Sequence, residues 1–456
     1  MHETDRHRIT RLQPPWLLYT AALAGFLIHG GTAILRLQSF FPVPKLIDFA
    51  AFYASASALS QGLSPYALSA QWLDALQTQK FLPFAPPAIY NPPLWPWLLQ
   101  PIAELDYPAA AWVWLLFNTG ILLWLSFCIC TKLSAPNLDT QHVTDRVNLL
   151  PHIRPVIRQN SRSFIIISIL IISFGPVFLD LSIGQTSILL LMLCVIIGFY
   201  THRENNWAAE LFTALSIALA AVTKLYPIAW VPYLALTRKW KHLALSTAFT
   251  AAAFLSGFLL MPEVNREYWQ HYLPHRLENA TDHVSMDDQS LPAWLDRISR
   301  PHSYDVPGLN SGVRTQIVWK TRWAIDPQLL QIGSYILGVI FGIPVFYTLT
   351  SANAELDDGG FYLWVLYILA IFPHMERYNH VLLLPAMLWL WHKGQRSIVI
   401  AAYLLTAFSR LNHLWILVLP APWGPLASGF GLFAVFILAW GIFKEIRSQN
   451  TVMELQ

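Results

Sequence analysis

Long apolar runs separated by shorter polar intervals extend along the chain from Trp16 to Phe443. A hydrocarbon core about 30 Å thick requires roughly 20 apolar residues in each spanning helix. The pattern therefore predicts an all-α polytopic membrane protein with about 10–13 membrane segments. The predicted helices cover residues 16–35, 109–131, 164–181, 183–200, 208–222, 225–236, 243–261, 329–349, 361–372, 381–391, 398–408 and 429–443.

Several of these runs are too short for a full span and contain or adjoin a proline. The prolines are Pro227, Pro232, Pro373 and Pro385. Irregular backbone at membrane depth is tolerated only where protein or a water-filled cavity surrounds it. We therefore expect broken or re-entrant helices at these positions.

The composition agrees with this pattern, since 55% of the residues are hydrophobic and 12% are charged. A formal net charge of +3 is too small to indicate a nucleic-acid partner. Cys128, Cys130 and Cys194 lie in apolar runs and have neither a disulfide nor a zinc spacing. The first apolar run follows a basic N-terminus but is long and lacks a small-x-small cleavage site, so we expect an uncleaved helix.

Lysine and arginine in the short loops indicate the orientation, because these residues favour the cytoplasmic side. A cytoplasmic N-terminus fits every basic loop if residues 208–236 cross twice, with a break at "TKLYP". Residues 132–163 then form a basic cytoplasmic loop, and residues 37–107 and 262–327 form two long outer loops containing short helices. We expect residues 1–456 to be one integral domain of the plasma (inner) membrane, with its active site on the extracytoplasmic side.

A single carboxylate, Asp48, begins an alanine- and serine-rich stretch in the first outer loop. The stretch predicts a short helix along the outer interface, and Asp48 is well placed to be its N-cap. Partial burial disfavours the charged form of a carboxylate and brings it nearer the working range of a general base. The two roles can coexist.

Six segments resemble, in order, those of glycosyltransferase family 87, a family of membrane transferases in the GT-C superfamily. They are "DFAAFYASASALSQGLSPY", "YNPPLWPWLLQP", "GPVFLDLSIGQTSILLLML", "TKLYPIAWVPYLALTRKW", "DDQSLPAWLDRI" and "ERYNHVLLLPAMLWLW". The resemblance implies a GT-C-type transmembrane helical bundle and a polyprenyl-phosphate-sugar donor, mannose being the sugar in related mycobacterial enzymes. It also implies a lipid-linked or cell-envelope glycan acceptor and inverting transfer without a metal or cofactor.

The same resemblance implies particular site residues. In such families an acidic residue at the start of the first outer loop deprotonates the acceptor hydroxyl, and Asp48 matches that position. The family's asparagine in "NQS" is replaced by Asp288 in "DDQS". Gln289 and Ser290 are therefore expected only to line the site.

A polyprenyl phosphate leaves as an anion, which cationic groups must stabilise. Lys224 and Arg377 are the leading candidates, because ionisable residues at membrane depth are expensive and usually functional. Lys224 could instead extend to the interface. His374, Arg377 and His380 are interpreted as lining the pocket near the phosphate or acceptor, although Glu376 and His380 could form an ordinary i,i+4 pair.

The remaining candidates each have a structural alternative. Gly184 and Gln185 match the family's "GQ" turn, and Gln185 could bind a sugar hydroxyl or cap the next helix. Tyr90 and Asn91 could bind substrate or simply form a proline-stiffened turn. A metal site at Asp282, His283, Asp287 and Asp288 is conceivable, but a solvated acidic loop is the favoured interpretation.

Two other functions compete with the transferase. A transporter or flippase of a polyprenyl-linked sugar would also be polytopic with broken helices. Its ionisable groups would gather near the midplane in two related halves, whereas here they gather in the predicted outer segments and no internal repeat is visible. A catalytically silent relative that scaffolds envelope assembly is the third alternative.

Overall fold

The structure is a computed structural model, which describes residues 15–134, 165, 168–203, 206–278, 287–299, 302–307, 314–319, 325–351, 358–419 and 423–454. Most of these residues are helical. The helices are α1 (Pro15–Arg36), α2 (Ile47–Ser60), α3 (Ala70–Lys80), α4 (Leu94–Leu98), α5 (Gln100–Ala103), α6 (Tyr107–Ser134), α7 (Gly175–Ile183), α8 (Ser187–Thr201), α9 (Trp207–Thr223), α10 (Val231–Leu236), α11 (Trp240–Leu260), α12 (Pro262–Glu267), α13 (Leu273–Glu278), α14 (Leu291–Ser299), α15 (Pro327–Ser351), α16 (Asp358–Ile371), α17 (Leu383–His392), α18 (Arg396–Ser409), α19 (Asn412–Val418), α20 (Trp423–Ala427) and α21 (Phe430–Glu454).

The chain divides into two compact units. The smaller unit contains residues 33–89 and 96–192, and the larger unit contains residues 15–32, 90–95 and 193–454 of the described chain. Each candidate site below is built from residues of one unit.

Helix α2 is the centre of the smaller unit and packs against α5, α6 and α7. The predicted short helix is present, but every residue from Phe49 to Ala58 is buried, so the helix is packed inside the protein and does not lie exposed on its surface. Two tyrosines fix the helix. The backbone N–H of Leu46 donates to the Tyr107 hydroxyl at 3.1 Å, and the Tyr53 hydroxyl donates to the Leu105 carbonyl at 2.5 Å.

The larger unit is a packed set of long helices, in which α9 lies against α11 and α18 against α21. The side chain of Asn206 caps α9 by accepting from the N–H groups of Ala208 and Ala209. The helix ends at Thr223, and the backbone of the next residue, Lys224, is extended. A 3-10 turn, Tyr226–Trp230, and α10 follow, so the predicted break at "TKLYP" is confirmed.

Three helices of the described chain are long and apolar enough to cross a membrane, namely Tyr107–Cys130, Trp240–Leu260 and Gln328–Ser351. Five shorter apolar helices accompany them. A polytopic helical membrane protein fits these helices, while the count of 10–13 segments and the orientation stay predictions. The basic loop 132–163 lies almost wholly outside the described residues.

Three helix boundaries differ from the predicted ones. The predicted helix 164–181 breaks at Phe174, because Pro176 sits in the first turn of a new helix, α7. The next helix starts at Ser187 and not at residue 183, because a turn intervenes. The last helix extends to Glu454, well beyond the apolar run that ends at Phe443.

The two predicted outer loops do contain short helices, α2 to α5 in the first and α12 to α14 in the second. The second also contains a β-hairpin that the helical pattern did not predict. Its strands, β1 (His302–Pro307) and β2 (Arg314–Trp319), pair antiparallel with His302 opposite Trp319. The protein is therefore helical apart from this hairpin in the part of the chain that is described.

Candidate functional site

Asp48 lies in the first turn of α2, one residue after the helix begins. The N-cap residue is Leu46, and no side chain supplies a capping hydrogen bond there. Asp48 is therefore not the N-cap residue of α2, and the capping interpretation was wrong. The position is nevertheless favourable for a carboxylate, since the helix N-terminus carries partial positive charge. Asp48 is half-buried, so its carboxylate retains some contact with solvent.

Gln185 contacts this carboxylate directly. Its Nε2 donates to Asp48 Oδ2 at 2.9 Å, and its Oε1 accepts from the backbone N–H of Thr186 at 3.2 Å. The first N–H of α8, that of Ser187, instead donates to Asp180 Oδ2 at 2.9 Å. Gln185 therefore caps only the turn before the helix, and its amide group faces Asp48.

The turn that carries Gln185 is built around Asp180 and Gly184. The Asp180 carbonyl accepts from the N–H groups of Gly184 and Gln185 at 2.8 and 3.0 Å. Gly184 has φ +74° and lies so close to α2 that a Cβ atom would be 2.5 Å from the Cβ of Phe49. Trp114 Nε1 donates to the Gly184 carbonyl at 3.0 Å, and the Trp114 ring stacks on Phe49 with centroids 5.3 Å apart. Helices α2, α6 and α7 thus converge at Asp48.

Lys224 belongs to a second cluster, in the larger unit. Its Nζ donates to Asn379 Oδ1 at 3.0 Å and lies 4.5 Å from the centroid of the Tyr378 ring. Both partners come from the 3-10 turn Arg377–Leu382. The half-buried Lys224 ammonium is therefore held in place by the side chains of Asn379 and Tyr378.

The "YNPP" segment joins this cluster through Asn91. Its Nδ2 donates to the Thr223 carbonyl at 2.5 Å, directly before Lys224. Tyr90 is 58% exposed and its ring stacks on Tyr272 at 6.5 Å, while its carbonyl accepts from the Tyr268 hydroxyl at 3.3 Å. Asn91 is structural in this arrangement, whereas the Tyr90 ring stays accessible.

The two motifs "DDQS" and "MER" are paired in space. Asp288 and Glu376 form an isolated antiparallel bridge. The N–H of Gln289 donates to the Met375 carbonyl at 2.8 Å, and the N–H of Arg377 donates to the Asp287 carbonyl at 2.9 Å. The structure therefore brings Gln289, Ser290, His374 and Arg377 together, as their common assignment to one site requires.

Charged groups in this pair of motifs are mostly neutralised within the protein. Arg377 is 3% exposed, pairs with the Asp287 carboxylate and donates to the Ser409 carbonyl at 2.8 Å. Asp288, 2% exposed, accepts from the N–H groups of Ser290 and His374 at 2.9 and 3.0 Å. The predicted solvated acidic loop is therefore wrong for both aspartates, and Asp282 and His283 lie outside the described residues.

His374 and His380 differ sharply in their surroundings. The side chain of His374 is 49% exposed, its backbone is left-handed at φ +61°, and its Nδ1 lies 3.8 Å from Asp288 Oδ2. His380 is fully buried, and neither ring nitrogen has a hydrogen-bond partner. The alternative pairing of Glu376 with His380 is therefore not formed. Burial and the nearby Arg377 charge lower the pKa of His380 to about 3, so its imidazole is neutral at physiological pH.

Two supporting residues, Asp180 and Trp114, escaped the sequence analysis, and Asp287 was considered there only as part of an acidic loop. Asp180 carried a usable signal, because it is an acidic residue inside an apolar run. Trp114 did not, since tryptophans are common at helix ends in membranes. No three His, Cys, Asp or Glu side chains in the described ranges are grouped closely enough to hold a metal ion.

Fold and site together define a helical membrane protein in which one unit contains a half-buried carboxylate held by an amide and the other contains a half-buried lysine. The model of glycosyltransferase family 87 matches residues 89–373, well over half of the chain. The chain belongs to this family, which is part of the GT-C superfamily. No curated protein and no solved structure matches the chain.

The matched residues include Tyr90, Asn91, Gln185, Lys224, Gln289 and Ser290. Asp48 lies before the match, and His374, Arg377 and His380 lie after it. The membership therefore establishes a glycosyltransferase, while the roles of individual residues are argued from the contacts around them.

Proposed function

We propose that this glycosyltransferase is a polyprenyl-phosphate-sugar-dependent hexosyltransferase of the plasma (inner) membrane, with its active site on the extracytoplasmic side. The acceptor is a lipid-linked or cell-envelope glycan, and mannose is the first donor sugar to test. The observation that carries the proposal is the Asp48 carboxylate, half-buried at a helix N-terminus and oriented by Gln185 at 2.9 Å. A carboxylate in such a position is suited to accept a proton.

The proposed step is an inverting displacement. Asp48 takes the proton of the acceptor hydroxyl as its oxygen attacks the anomeric carbon of the donor sugar. The bond from that carbon to the phosphate oxygen breaks, and polyprenyl phosphate leaves with the electron pair. The products are the extended glycan, in which the anomeric configuration of the transferred sugar is inverted, the polyprenyl phosphate anion and protonated Asp48. Asp48 then loses its proton to water.

Lys224 is the proposed cation for the donor phosphate. Its Nζ donates to Asn379 Oδ1 at 3.0 Å and lies over the Tyr378 ring, so these two contacts hold the ammonium at one place. Arg377 is the weaker candidate, because Asp287 already pairs with it. We assign the exposed imidazole of His374 to the phosphate or acceptor, and Gln289, Ser290 and His380 to the wall of the site.

Tyr90 is the proposed contact for the acceptor sugar. Its exposed ring is supported from behind by Tyr272 and can stack on a pyranose ring. Asn91 keeps the segment in place through the Thr223 carbonyl.

Transfer of labelled sugar from a panel of polyprenyl-phosphate donors tests the proposal, in membranes carrying wild type, Asp48→Asn or Asp74→Asn at matched expression. Asp74 lies on α3 and is exposed, so its replacement controls for the loss of one carboxylate. We expect transfer by wild type and Asp74→Asn and loss of at least about a hundredfold in Asp48→Asn. Equal transfer by all three would refute the role of Asp48.

The same membranes distinguish the competing functions. A flippase would move the labelled donor between leaflets without forming a new glycosidic bond. A silent scaffold would do neither. Only a transferase would form a glycosylated product in wild-type membranes and lose that product in Asp48→Asn membranes.

A further inference from the structure

We propose that Gln185 is a positioning residue that orients the Asp48 carboxylate and stabilises its charged form through a donated hydrogen bond. This inference rests on the proposed function, because it concerns the base of that reaction. It assigns to the "GQ" turn a role distinct from binding a sugar hydroxyl or capping a helix.

The orientation of the Gln185 amide follows from its second contact. The backbone N–H of Thr186 can only donate, so the Gln185 atom 3.2 Å from it must be the oxygen. The amide NH2 group then necessarily faces Asp48 Oδ2, at 2.9 Å. A flipped amide would place two acceptors together at Asp48 and two donors at Thr186.

The backbone that carries the amide is fixed on three sides. Asp180 holds the turn through its carbonyl and its carboxylate, and Trp114 holds the Gly184 carbonyl. On the third side Gly184 lies against Leu46 and Phe49 at the start of α2. Gln185 itself is 8% exposed. The donor therefore stays at one place relative to Asp48 without the cost of ordering a mobile side chain.

An amide suits this role because it is neutral. An N–H donor stabilises the charged form of a carboxylate, so Asp48 is harder to protonate with Gln185 present than without it. A lysine or arginine in the same place would form a charge-assisted bond about twice as strong and would suppress the basicity of the carboxylate. Gln185 thus stabilises the carboxylate form of Asp48 without placing a positive charge beside it.

The test compares wild type with Gln185→Met and Gln185→Glu in the full-length protein. Methionine keeps the length of the side chain and removes the donor. Glutamate keeps the shape and places a second carboxylate beside Asp48, so that the pair shares a proton. Gln61→Met is the matched control, because Gln61 follows the other end of α2 and its Oε1 accepts from Trp72 Nε1 at 2.9 Å.

Two quantities are measured against pH. One is kcat/KM for transfer from the polyprenyl-phosphate sugar that wild type uses. The other is the rate at which a water-soluble carbodiimide labels Asp48, which reports protonated carboxyl groups by mass spectrometry without requiring turnover. Both midpoints should move to higher pH by about one unit in Gln185→Met. In Gln185→Glu they should move further, by roughly two units or more, and in Gln61→Met they should not move.

Unchanged midpoints in Gln185→Met and Gln185→Glu would overturn the inference, even if the variants lose activity equally at every pH. The labelling experiment keeps the two hypotheses apart. A shifted labelling midpoint without any transfer by wild type would refute the proposed function and leave the contact between Gln185 and Asp48 established. Normal transfer with unshifted midpoints would refute the positioning role alone.

Discussion

The close contact between Gly184 and helix α2 allows one substitution to be predicted in detail. A Cβ atom at Gly184 would lie 2.5 Å from the Cβ of Phe49 and 2.8 Å from the Cβ of Leu46. Both neighbours sit on the backbone of a buried helix, so neither can rotate away. Gly184→Ala must therefore displace the turn or the start of α2, and with it the contact between Gln185 and Asp48.

The expected cost has two parts. A non-glycine residue in the left-handed region, here at φ +74°, costs about 1–2 kcal/mol. Overpacking against fixed neighbours costs a further ~1–3 kcal/mol. Gly184→Ala should thus destabilise the fold by about 2–5 kcal/mol and should also lower transfer sharply.

Gly62, which lies two residues after the C-terminal end of α2, provides a matched control. It has nearly the same backbone angle, φ +73°, but no atom lies within 4 Å of the position that its Cβ would take. Gly62→Ala should therefore show only the backbone cost of about 1–2 kcal/mol and near-normal transfer. The assay is the thermal unfolding midpoint of the purified protein in detergent, together with sugar transfer in membranes. Equal behaviour of the two variants in both measurements would refute the packing argument.

Three further predictions concern the larger unit. Lys224→Gln should raise the KM for the polyprenyl-phosphate-sugar donor about tenfold, which is equivalent to about 1.4 kcal/mol. Lys224→Arg should keep the KM for this donor close to that of wild type in the same transfer assay. Arg377→Met should destabilise the protein by about 3–5 kcal/mol, because it leaves the Asp287 carboxylate without this counter-ion, and Arg377→Met with Asp287→Leu should recover part of the lost unfolding midpoint. His380 has a pKa lowered to about 3, so below pH 6.5 the unfolded chain binds a proton that the folded protein does not. The contribution of neutral His380 to stability is therefore full above about pH 6.5 and falls as the pH drops towards 3. His380→Phe should flatten the pH dependence of the thermal unfolding midpoint between pH 7.5 and 5. An unchanged dependence of that midpoint on pH would contradict this prediction.

The sequence was sufficient to predict the limits of the helices whose apolar runs are long and uninterrupted. Helices α6, α11 and α15 each start and end within a few residues of their predicted limits. A break at "TKLYP" could also be predicted, because proline removes a backbone donor and clashes with the preceding turn. Strands β1 and β2 could not be predicted, since these short segments lack a long periodic pattern.

The sequence also identified most of the residues that the structure groups together, but not their partners. The family resemblance selected Asp48 and Gln185, and only the fold shows that one hydrogen-bonds the other across 137 positions of the chain. In the same way, Asp287 was interpreted as solvated, whereas the pairing of two distant loops buries it partly against Arg377.

The sequence by itself determined that the protein is a helical membrane protein. The length of a hydrophobic run and the position of a proline are local properties, and they favour or interrupt a membrane helix without contacts from the rest of the chain. What only the tertiary structure decided is the chemistry of the site. Whether a carboxylate caps a helix, pairs with a cation or can accept a proton depends on side chains from other helices. Gly184, Trp114 and Asp180 support the site because the turn that they form packs closely against α2. Burial and partner choice are non-local, and no spacing along the chain encodes them.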